Sequence, residues 1–320
     1  MAIDLHVHYV DISVIEALES EPMTYGVRVS EERDGYSFVF PNGEKRIMPY
    51  ALTKIDDYEK RSGVEISVLS PWIELSRGGF TEDQAAKLFK LVNEGLFKVF
   101  KRNPKKFLFL VMPPLQHTKL ATSLLEEYMQ KGAKGVFIGT NVNGVNLDAN
   151  FLEPIWDAAE RLNVPIVLHP VNVFKDRLEK YYLQNLLGNP FDTTIAATSL
   201  IFGGVLDRHP NLRVVLVHGG GFLPWVVGRL DHGYTVRSEA KSCAQKPSSY
   251  LKRFYYDTVV YKEEILSALI QMVGIERVVF GTDYPFDMQL PNALDFVKNT
   301  VKAGFKAIAQ ENPKTLLSVQ

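Results

Sequence analysis

Two histidines near the start of the chain have a spacing that suits metal chemistry. His6 and His8 lie two residues apart in an apolar run at residues 3–8, which predicts a β-strand. Because successive side chains of a strand point to opposite faces, both imidazoles project from the same face. Neutral imidazole is a common metal ligand. Taken alone, the pair fits a metal site and an ordinary strand with two histidines equally well.

Three more titratable side chains stand at the ends of predicted strands. His169, His218 and Asp283 each follow a short apolar run. In a barrel of parallel strands, the carboxyl ends of the strands meet at one face, where catalytic groups collect. Histidines scattered for structural reasons would not repeatedly occupy that position. The pattern therefore favours a metal site at this face.

The ligand types do not by themselves name the metal. Imidazole nitrogen and carboxylate oxygen suit Zn²⁺, and they also suit Mn²⁺, Fe²⁺ and Co²⁺. Three histidines and one aspartate leave a position open on a five-coordinate ion, as a catalytic site requires. The chemistry expected is that of a Lewis acid beside a proton carrier.

Short apolar runs alternate with stretches of helical periodicity, which is typical of βα units in a parallel sheet. The eight predicted strands lie at residues 3–8, 64–70, 107–113, 135–139, 164–169, 213–218, 254–258 and 277–283. Predicted helices include residues 81–101, 118–131, 152–162, 192–208 and 262–272. Eight such strands favour an α/β fold of the (β/α)₈ TIM-barrel type. An open doubly wound sheet is disfavoured, because His-Val-His stands where that fold carries its glycine-rich phosphate turn. We expect residues 1–320 to form one domain.

Two segments interrupt this alternation. Residues 24–50 contain an aromatic run followed by Asn42 and Gly43, a pair that favours a hairpin turn. We predict a small β insertion here, after the first strand and over the barrel mouth. Residues 170–192 form a long aromatic stretch after the fifth strand. Loops at that end of a barrel line the active site, so this stretch is a candidate substrate lid.

Composition excludes several classes of partner. The 320 residues carry 36 basic and 37 acidic side chains, and this balance provides no electrostatic drive toward nucleic acid or an anionic membrane. Cys243 is the single cysteine, so no intrachain disulfide can form. The apolar stretches at residues 193–206 and 214–228 are shorter than the roughly 18 to 20 residues that span a bilayer. With no recognisable signal or transit peptide, a cytoplasmic location is expected.

Four motifs together resemble those of the 2-amino-3-carboxymuconate 6-semialdehyde decarboxylase family, a branch of the amidohydrolase superfamily. They are Asp-Leu-His-Val-His at residues 4–8, Leu-His-Pro at 168–170, His-Gly-Gly-Gly at 218–221 and Gly-Thr-Asp-Tyr-Pro at 281–285. The resemblance runs almost the whole chain and extends to residues 176–177, 180–181, 203–205 and 228–229.

The resemblance implies that His6, His8, His169 and Asp283 bind a single divalent metal ion, zinc in most semialdehyde decarboxylases and manganese in some aromatic-acid enzymes. It implies His218 as the catalytic acid/base and gives Asp283 a catalytic role as well. The fourth predicted strand lacks a lysine at its end, which disfavours the two-metal variant of the superfamily.

By the same resemblance, two arginines bind substrate. Arg229 would reach into the site of a neighbouring subunit and hold a substrate carboxylate, which implies a homodimer. Arg46, in the β insertion, is similar to the family's other carboxylate-binding arginine. Guanidinium groups suit this task because they bind planar carboxylates with two parallel hydrogen bonds. A surface salt bridge is the alternative role for Arg229.

The sequence also departs from the family. Val171 and Asn185 stand where the semialdehyde decarboxylases carry a tryptophan-rich lid, so the substrate can be another conjugated or aromatic acid. The predicted function is metal-dependent nonoxidative decarboxylation of a small carboxylic acid. Hydrolysis of a lactone or amide on the same barrel is the alternative, because one fold supports both chemistries. A noncatalytic binding protein is disfavoured, since buried histidines and a carboxylate without a use would be costly to keep.

Overall fold

Parallel strands and helices alternate along the computed structural model, which describes residues 2–171 and 176–319. The strands are β1 (Ala2–His8), β2 (Arg28–Glu32), β3 (Gly35–Val39), β4 (Lys45–Pro49), β5 (Val64–Ser70), β6 (Phe107–Phe109), β7 (Val136–Gly139), β8 (Pro165–His169), β9 (Arg213–Leu216), β10 (Phe254–Asp257) and β11 (Val278–Val279). The α-helices are α1 (Ile12–Ser20), α2 (Pro22–Tyr25), α3 (Ile55–Glu59), α4 (Glu82–Arg102), α5 (Thr118–Gln130), α6 (Glu153–Arg161), α7 (Asn189–Phe202), α8 (Val205–Arg208), α9 (Leu223–Val236), α10 (Glu263–Val273), α11 (Ala293–Val301) and α12 (Asn312–Leu317).

Eight of the strands form a closed parallel barrel. Strands β1, β5 and β6 pair in that order, and β7 to β11 pair in chain order. Backbone hydrogen bonds join the two groups at both junctions. At one junction the Phe137 N–H donates to the Val111 carbonyl (2.8 Å), and at the other the Leu5 N–H donates to the Phe280 carbonyl (2.9 Å). The predicted (β/α)₈ barrel is therefore confirmed.

Strand β1 contains a β-bulge between Asp4 and Val7. Asp4 pairs with Ser67 while Val7 pairs with Leu69, so β1 advances three residues where β5 advances two. A bulge of this kind leaves one backbone N–H unpaired and re-aims the neighbouring side chains. Here the His6 N–H donates to the Asp4 Oδ1 atom at 3.2 Å. The sequence had indicated a regular strand.

Apolar side chains fill the barrel below its carboxyl-terminal face. One buried cluster draws residues from most barrel strands, and a second, larger cluster lies between the strands and the surrounding helices. The first cluster includes Ile3, Leu5, Val68, Leu110, Phe137, Val167, Val215 and Val279.

Helix α4 is tied to the barrel by a buried asparagine. The helix begins with a capping box, in which the Thr81 hydroxyl accepts the Gln84 N–H and the Gln84 side chain accepts the Thr81 N–H. Further along, the Asn93 Nδ2 atom donates to the Met112 carbonyl (2.9 Å) and Asn93 Oδ1 accepts the Met112 N–H (2.9 Å). The Asn93 side chain thus pairs with the Met112 backbone just beyond β6, as a neighbouring strand would otherwise do.

Three predicted elements differ in the structure. The helix expected at residues 192–208 is two helices, α7 and α8, because Gly204 adopts a left-handed conformation with φ of 68°. Strands β6 and β11 end at Phe109 and Val279, earlier than predicted. Beyond β11 the chain must turn to place Asp283, whose φ of 63° does not occur in a strand.

The β insertion is a three-stranded antiparallel sheet of β2, β3 and β4. Asn42 and Gly43 lie between β3 and β4, as predicted, and Gly43 has a φ of 83°. Strand β2 was not anticipated. In the candidate lid, residues 172–175 lie outside the described residues, and a π-helical turn forms at Gln184–Gly188. Within the described ranges, no helix has the length and apolar character needed to cross a membrane.

Candidate metal centre

The four side chains predicted as metal ligands meet at the carboxyl-terminal face of the barrel. One ligand atom from each lies within 4.8 Å of the others, and all four residues are buried. His6 and His8 come from β1, His169 ends β8, and Asp283 follows β11. Residues that are far apart in sequence therefore converge because the barrel closes.

Three of the ligand atoms have the spacing that a common metal ion would require. The Nε2 atoms of His6 and His8 are 3.1 Å apart, and they lie 3.2 and 3.1 Å from the Asp283 Oδ1 atom. Ligands bound at about 2.0 to 2.2 Å from a single zinc ion lie about 3 Å apart. The observed distances fit one ion in this place.

His169 supplies an independent test of that fit. Its Nδ1 atom lies 3.1 Å from the Pro170 carbonyl, which makes Nδ1 the protonated nitrogen. Its Nε2 atom is buried and has no hydrogen-bond partner among the described residues. A buried polar atom without a partner is costly. A metal ion would satisfy the Nε2 lone pair, so the site suits a cation.

Asp257 is a functional residue that the sequence reasoning missed. It ends β10, is buried, and its Oδ2 atom lies 2.7 Å from the His6 Nδ1 atom. Its other oxygen accepts the Gly219 N–H at 2.8 Å. A carboxylate that holds the far nitrogen of a ligand histidine fixes its orientation. The signal was present, because Asp257 stands near the end of a predicted strand, just as Asp283 does.

Without a metal, one proton offsets part of the negative charge of the centre. Burial alone would lower the pKa of His6, but the carboxylates of Asp283 and Asp257 raise that pKa to about 10. Burial lowers the pKa of His8 and of His169, so both are neutral and ready to act as ligands. Two buried carboxylates thus need a cation, which a divalent ion would supply.

His218 lies beside the four predicted ligand residues, but it is not among the residues whose ligand atoms lie within 4.8 Å of one another. Its Nε2 atom is 3.5 Å from the Asp283 Oδ2 atom, and its ring centre is 5.2 Å from that of His6. The Nδ1 atom is buried and unpartnered within the described chain. The backbone at His218 has a φ of 55°, and Gly219 follows with 61°. This sharp turn after β9 exposes the imidazole to the cavity above.

A cavity of about 860 Å³ opens over the centre. It is lined by His169, His218 and Asp283, and by the predicted substrate-binding residue Arg46. The Arg46 Nε atom donates to the Glu74 Oε2 atom at 3.0 Å. Arg77, which the sequence reasoning missed, also pairs with Glu74 and lines the same cavity. The lid stretch contributes Leu178, Glu179, Tyr182, Gln184, Asn185 and Asn189.

The structure does not bring Arg229 to the centre of its own chain. Arg229 is exposed on α9 and is absent from the lining of the cavity. Trp225, one turn earlier, lines a second, mainly apolar cavity of about 460 Å³ that also reaches His218.

Curated relatives of this chain are decarboxylases. A 2-amino-3-carboxymuconate-6-semialdehyde decarboxylase of Dictyostelium discoideum is 38% identical over 71% of this chain and 65% of its own length, so the match spans just under two thirds of that relative. The enzyme of that name from Caenorhabditis elegans is 24% identical over 89% of this chain and 86% of its own. A gamma-resorcylate decarboxylase of Polaromonas is 26% identical over 80% of this chain and 84% of its own length.

Solved structures share the whole fold. A dihydroxybenzoic acid decarboxylase of Polaromonas with bound manganese superposes with a TM-score of 0.81, 23% identity and coverage of 99% of this chain and 96% of that one. The 5-carboxyvanillate decarboxylase of Sphingomonas paucimobilis superposes with a TM-score of 0.83 and 21% identity, and the match covers 100% of this chain and 99% of that one. At such identities the likeness establishes the fold.

A sequence model of a known family covers nearly the whole chain. The amidohydrolase model matches residues 3–318, which include every strand-end side chain described above. The match confirms the family suggested by the motifs at the strand ends. The chain belongs to the amidohydrolase family.

Proposed function

We propose that the chain is a metal-dependent, nonoxidative decarboxylase of a small conjugated or aromatic carboxylic acid. The observation that carries this proposal is the group of His6, His8, His169 and Asp283 at the floor of a cavity that Arg46 and His218 also line. The names of the curated relatives support the reaction class.

The proposed cofactor is one divalent ion held by these four residues, most simply Zn²⁺, with Mn²⁺ as the alternative. Imidazole and carboxylate donors suit both ions. The manganese in the Polaromonas structure supports a divalent metal in this fold. When bound, the ion supplies Lewis-acid polarisation of an oxygen conjugated to the carbon that loses CO₂.

His218 is proposed to provide the proton. When the bond to the carboxyl carbon breaks, its electron pair stays on the substrate carbon and CO₂ leaves. That carbon then takes a proton, which the His218 imidazole on the cavity wall would donate. The Asp283 Oδ2 atom lies 3.5 Å from the His218 Nε2 atom, which holds the imidazole beside the metal centre.

Arg46 is proposed to bind a substrate carboxylate. Its guanidinium lines the cavity, where Glu74 accepts from Nε and the Lys45 carbonyl accepts from Nη1 at 3.0 Å, while Nη2 lies 3.5 Å from Glu44. A second arginine, Arg77, lies on the same wall beside the shared Glu74. Bidentate binding there would fix which carboxyl group lies over the metal.

The working unit is proposed to be a homodimer in which Arg229 completes the partner's site. The exposed Arg229 lies on α9 near an apolar surface, where Trp225 is 44% exposed and Leu186 is 45% exposed. Apolar patches of this kind commonly mark interfaces.

A cytoplasmic location is proposed, in keeping with the buried free thiol of Cys243.

The first experiment is metal analysis of the purified chain together with a CO₂-release assay on conjugated carboxylic acids. We expect about one zinc or manganese per chain, and CO₂ formation that stops when a chelator removes the metal. Bound metal with lactone or amide opening and no CO₂ would replace the decarboxylase with a hydrolase. A chain that binds no divalent metal on reconstitution would overturn the proposal.

A further inference from the structure

A buried ion pair lies outside the barrel, next to the metal centre. Asp4 is fully buried in β1, and its Oδ2 atom accepts a hydrogen bond from the Arg61 Nη2 atom at 2.5 Å. The same oxygen accepts the Thr282 hydroxyl at 2.6 Å. The Arg61 Nη2 atom also donates to the Thr282 Oγ1 atom at 3.0 Å. We call Arg61, Asp4 and Thr282 the Arg61 clasp.

The Arg61 clasp contacts two chain segments that carry predicted metal ligands, which are β1 with His6 and the segment after β11 with Asp283. Asp4 is two residues before His6, and its Oδ1 atom accepts the His6 N–H that the bulge leaves unpaired. Thr282 directly precedes Asp283. The Arg61 guanidinium also lies over the Tyr284 ring, 4.3 Å from its centre, on the other side of Asp283. One side chain thus contacts the neighbours of two predicted metal ligands.

The junction between β1 and the end of β11 has few backbone bonds of its own. The described bonds are from Leu5 to Phe280 (2.9 Å), from His8 to Tyr284 (2.8 Å) and from Asp283 to His6 (2.9 Å). This junction therefore depends on side chains more than the regular ladders between β7 and β10 do. Metal ligands need placement within a fraction of an ångström, which supporting hydrogen bonds provide.

We propose that Arg61 is a positioning residue for the metal, because it fixes the bulge at His6 and the turn at Asp283 through Asp4 and Thr282. A planar guanidinium can serve Asp4, Thr282 and the Tyr284 ring together, which an ammonium group cannot. The proposal rests on the metal centre of the proposed function, and not on the reaction that the centre catalyses.

The test compares metal affinity in two matched variants. Arg61→Met removes the donors of the clasp. Arg213→Met removes a partly buried arginine that donates to the Leu316 carbonyl (2.8 Å) at the start of β9, away from the centre. Zn²⁺ affinity is measured by competition with a chromogenic chelator, and the thermal midpoint of each metal-free variant is measured alongside.

We expect Arg61→Met to weaken Zn²⁺ binding by about 10- to 100-fold. Arg213→Met should change affinity by less than about twofold even where it lowers the thermal midpoint as much. Arg61→Lys should recover part of the affinity, since one donor can still reach Asp4. Equal affinities for Arg61→Met and Arg213→Met would overturn the proposal.

A second variant keeps the test decisive if Arg61→Met does not fold. Thr282→Val retains the shape of the side chain and removes its hydroxyl, and with it the bonds to Asp4, to Arg61 and to the Tyr284 N–H. We expect weaker Zn²⁺ binding here too, and wild-type affinity would contradict the clasp. Wild-type protein that binds no metal would instead overturn the proposed function, and normal metal binding without CO₂ release would overturn the reaction alone.

Discussion

A proton on His6 takes the place of the metal in the metal-free chain. Burial opposes that proton, but Asp283 and Asp257 hold the pKa of His6 at about 10. A metal can bind only the neutral imidazole, so binding must release the proton at any pH below about 10. Metal affinity is therefore expected to rise about tenfold per pH unit between pH 7 and 9.

Calorimetry of Zn²⁺ binding in two buffers with different enthalpies of ionisation would count the protons released. About one proton per metal at pH 7.5 is the expected result. His8 and His169 should add none, because burial lowers the pKa of each. Affinity that does not change with pH would show that His6 is neutral before the metal binds.

His218 should matter for turnover far more than for metal binding. The substitution His218→Asn suits a backbone with φ of 55°, because asparagine tolerates the left-handed region. Loss of the proton carrier should lower kcat by about 10²- to 10⁴-fold while about one metal per chain remains. His117→Gln, which replaces a histidine outside the cavity, is the control. Unchanged turnover in His218→Asn would remove the acid/base assignment.

At the scale of strands and helices, Asn93 connects α4 to the end of β6. The substitution Asn93→Leu keeps an apolar volume but leaves the buried Met112 N–H and carbonyl without their described partner. We expect the free energy of unfolding to fall by about 2 to 4 kcal/mol. Urea denaturation would measure this change. The exposed Asn299→Leu on α11 should change stability by less than about 0.5 kcal/mol.

The positions of the strands could be predicted because each is a short apolar run, and several of these runs end in a polar residue. His169 and Asp283 could be placed for the same reason, since barrel geometry brings strand ends together. The bulge at Asp4 could not be predicted, because it depends on pairing with β5 and on a side chain that accepts the His6 N–H. Arg77 carried no sequence signal, because only folding places it at the cavity.

At the scale of the whole molecule, Arg229 tests whether the site is shared between subunits. Neither His218→Asn nor Arg229→Ala homodimers should turn over substrate efficiently. Mixing the two should form some dimers with one intact site, and activity should return to about a quarter of wild type if subunits exchange freely. The assay is CO₂ release after co-refolding of the two variants.

The mixing experiment has a clear opposite outcome. If Arg229 serves its own chain or only the surface, mixed subunits will show no more activity than the sum of the separate variants. Lys252→Ala, which removes an exposed charge elsewhere, is the matched control and should keep full activity.

The metal centre joins the two ends of the chain. His8 and Asp283, which lie 3.1 Å apart at their ligand atoms, are 275 residues apart in sequence. During synthesis the first two predicted ligands leave the ribosome long before the last one exists, so no complete site can form on a partial chain. A truncated product should therefore hold metal poorly, and metal capture reports that the final barrel strand has been made and docked.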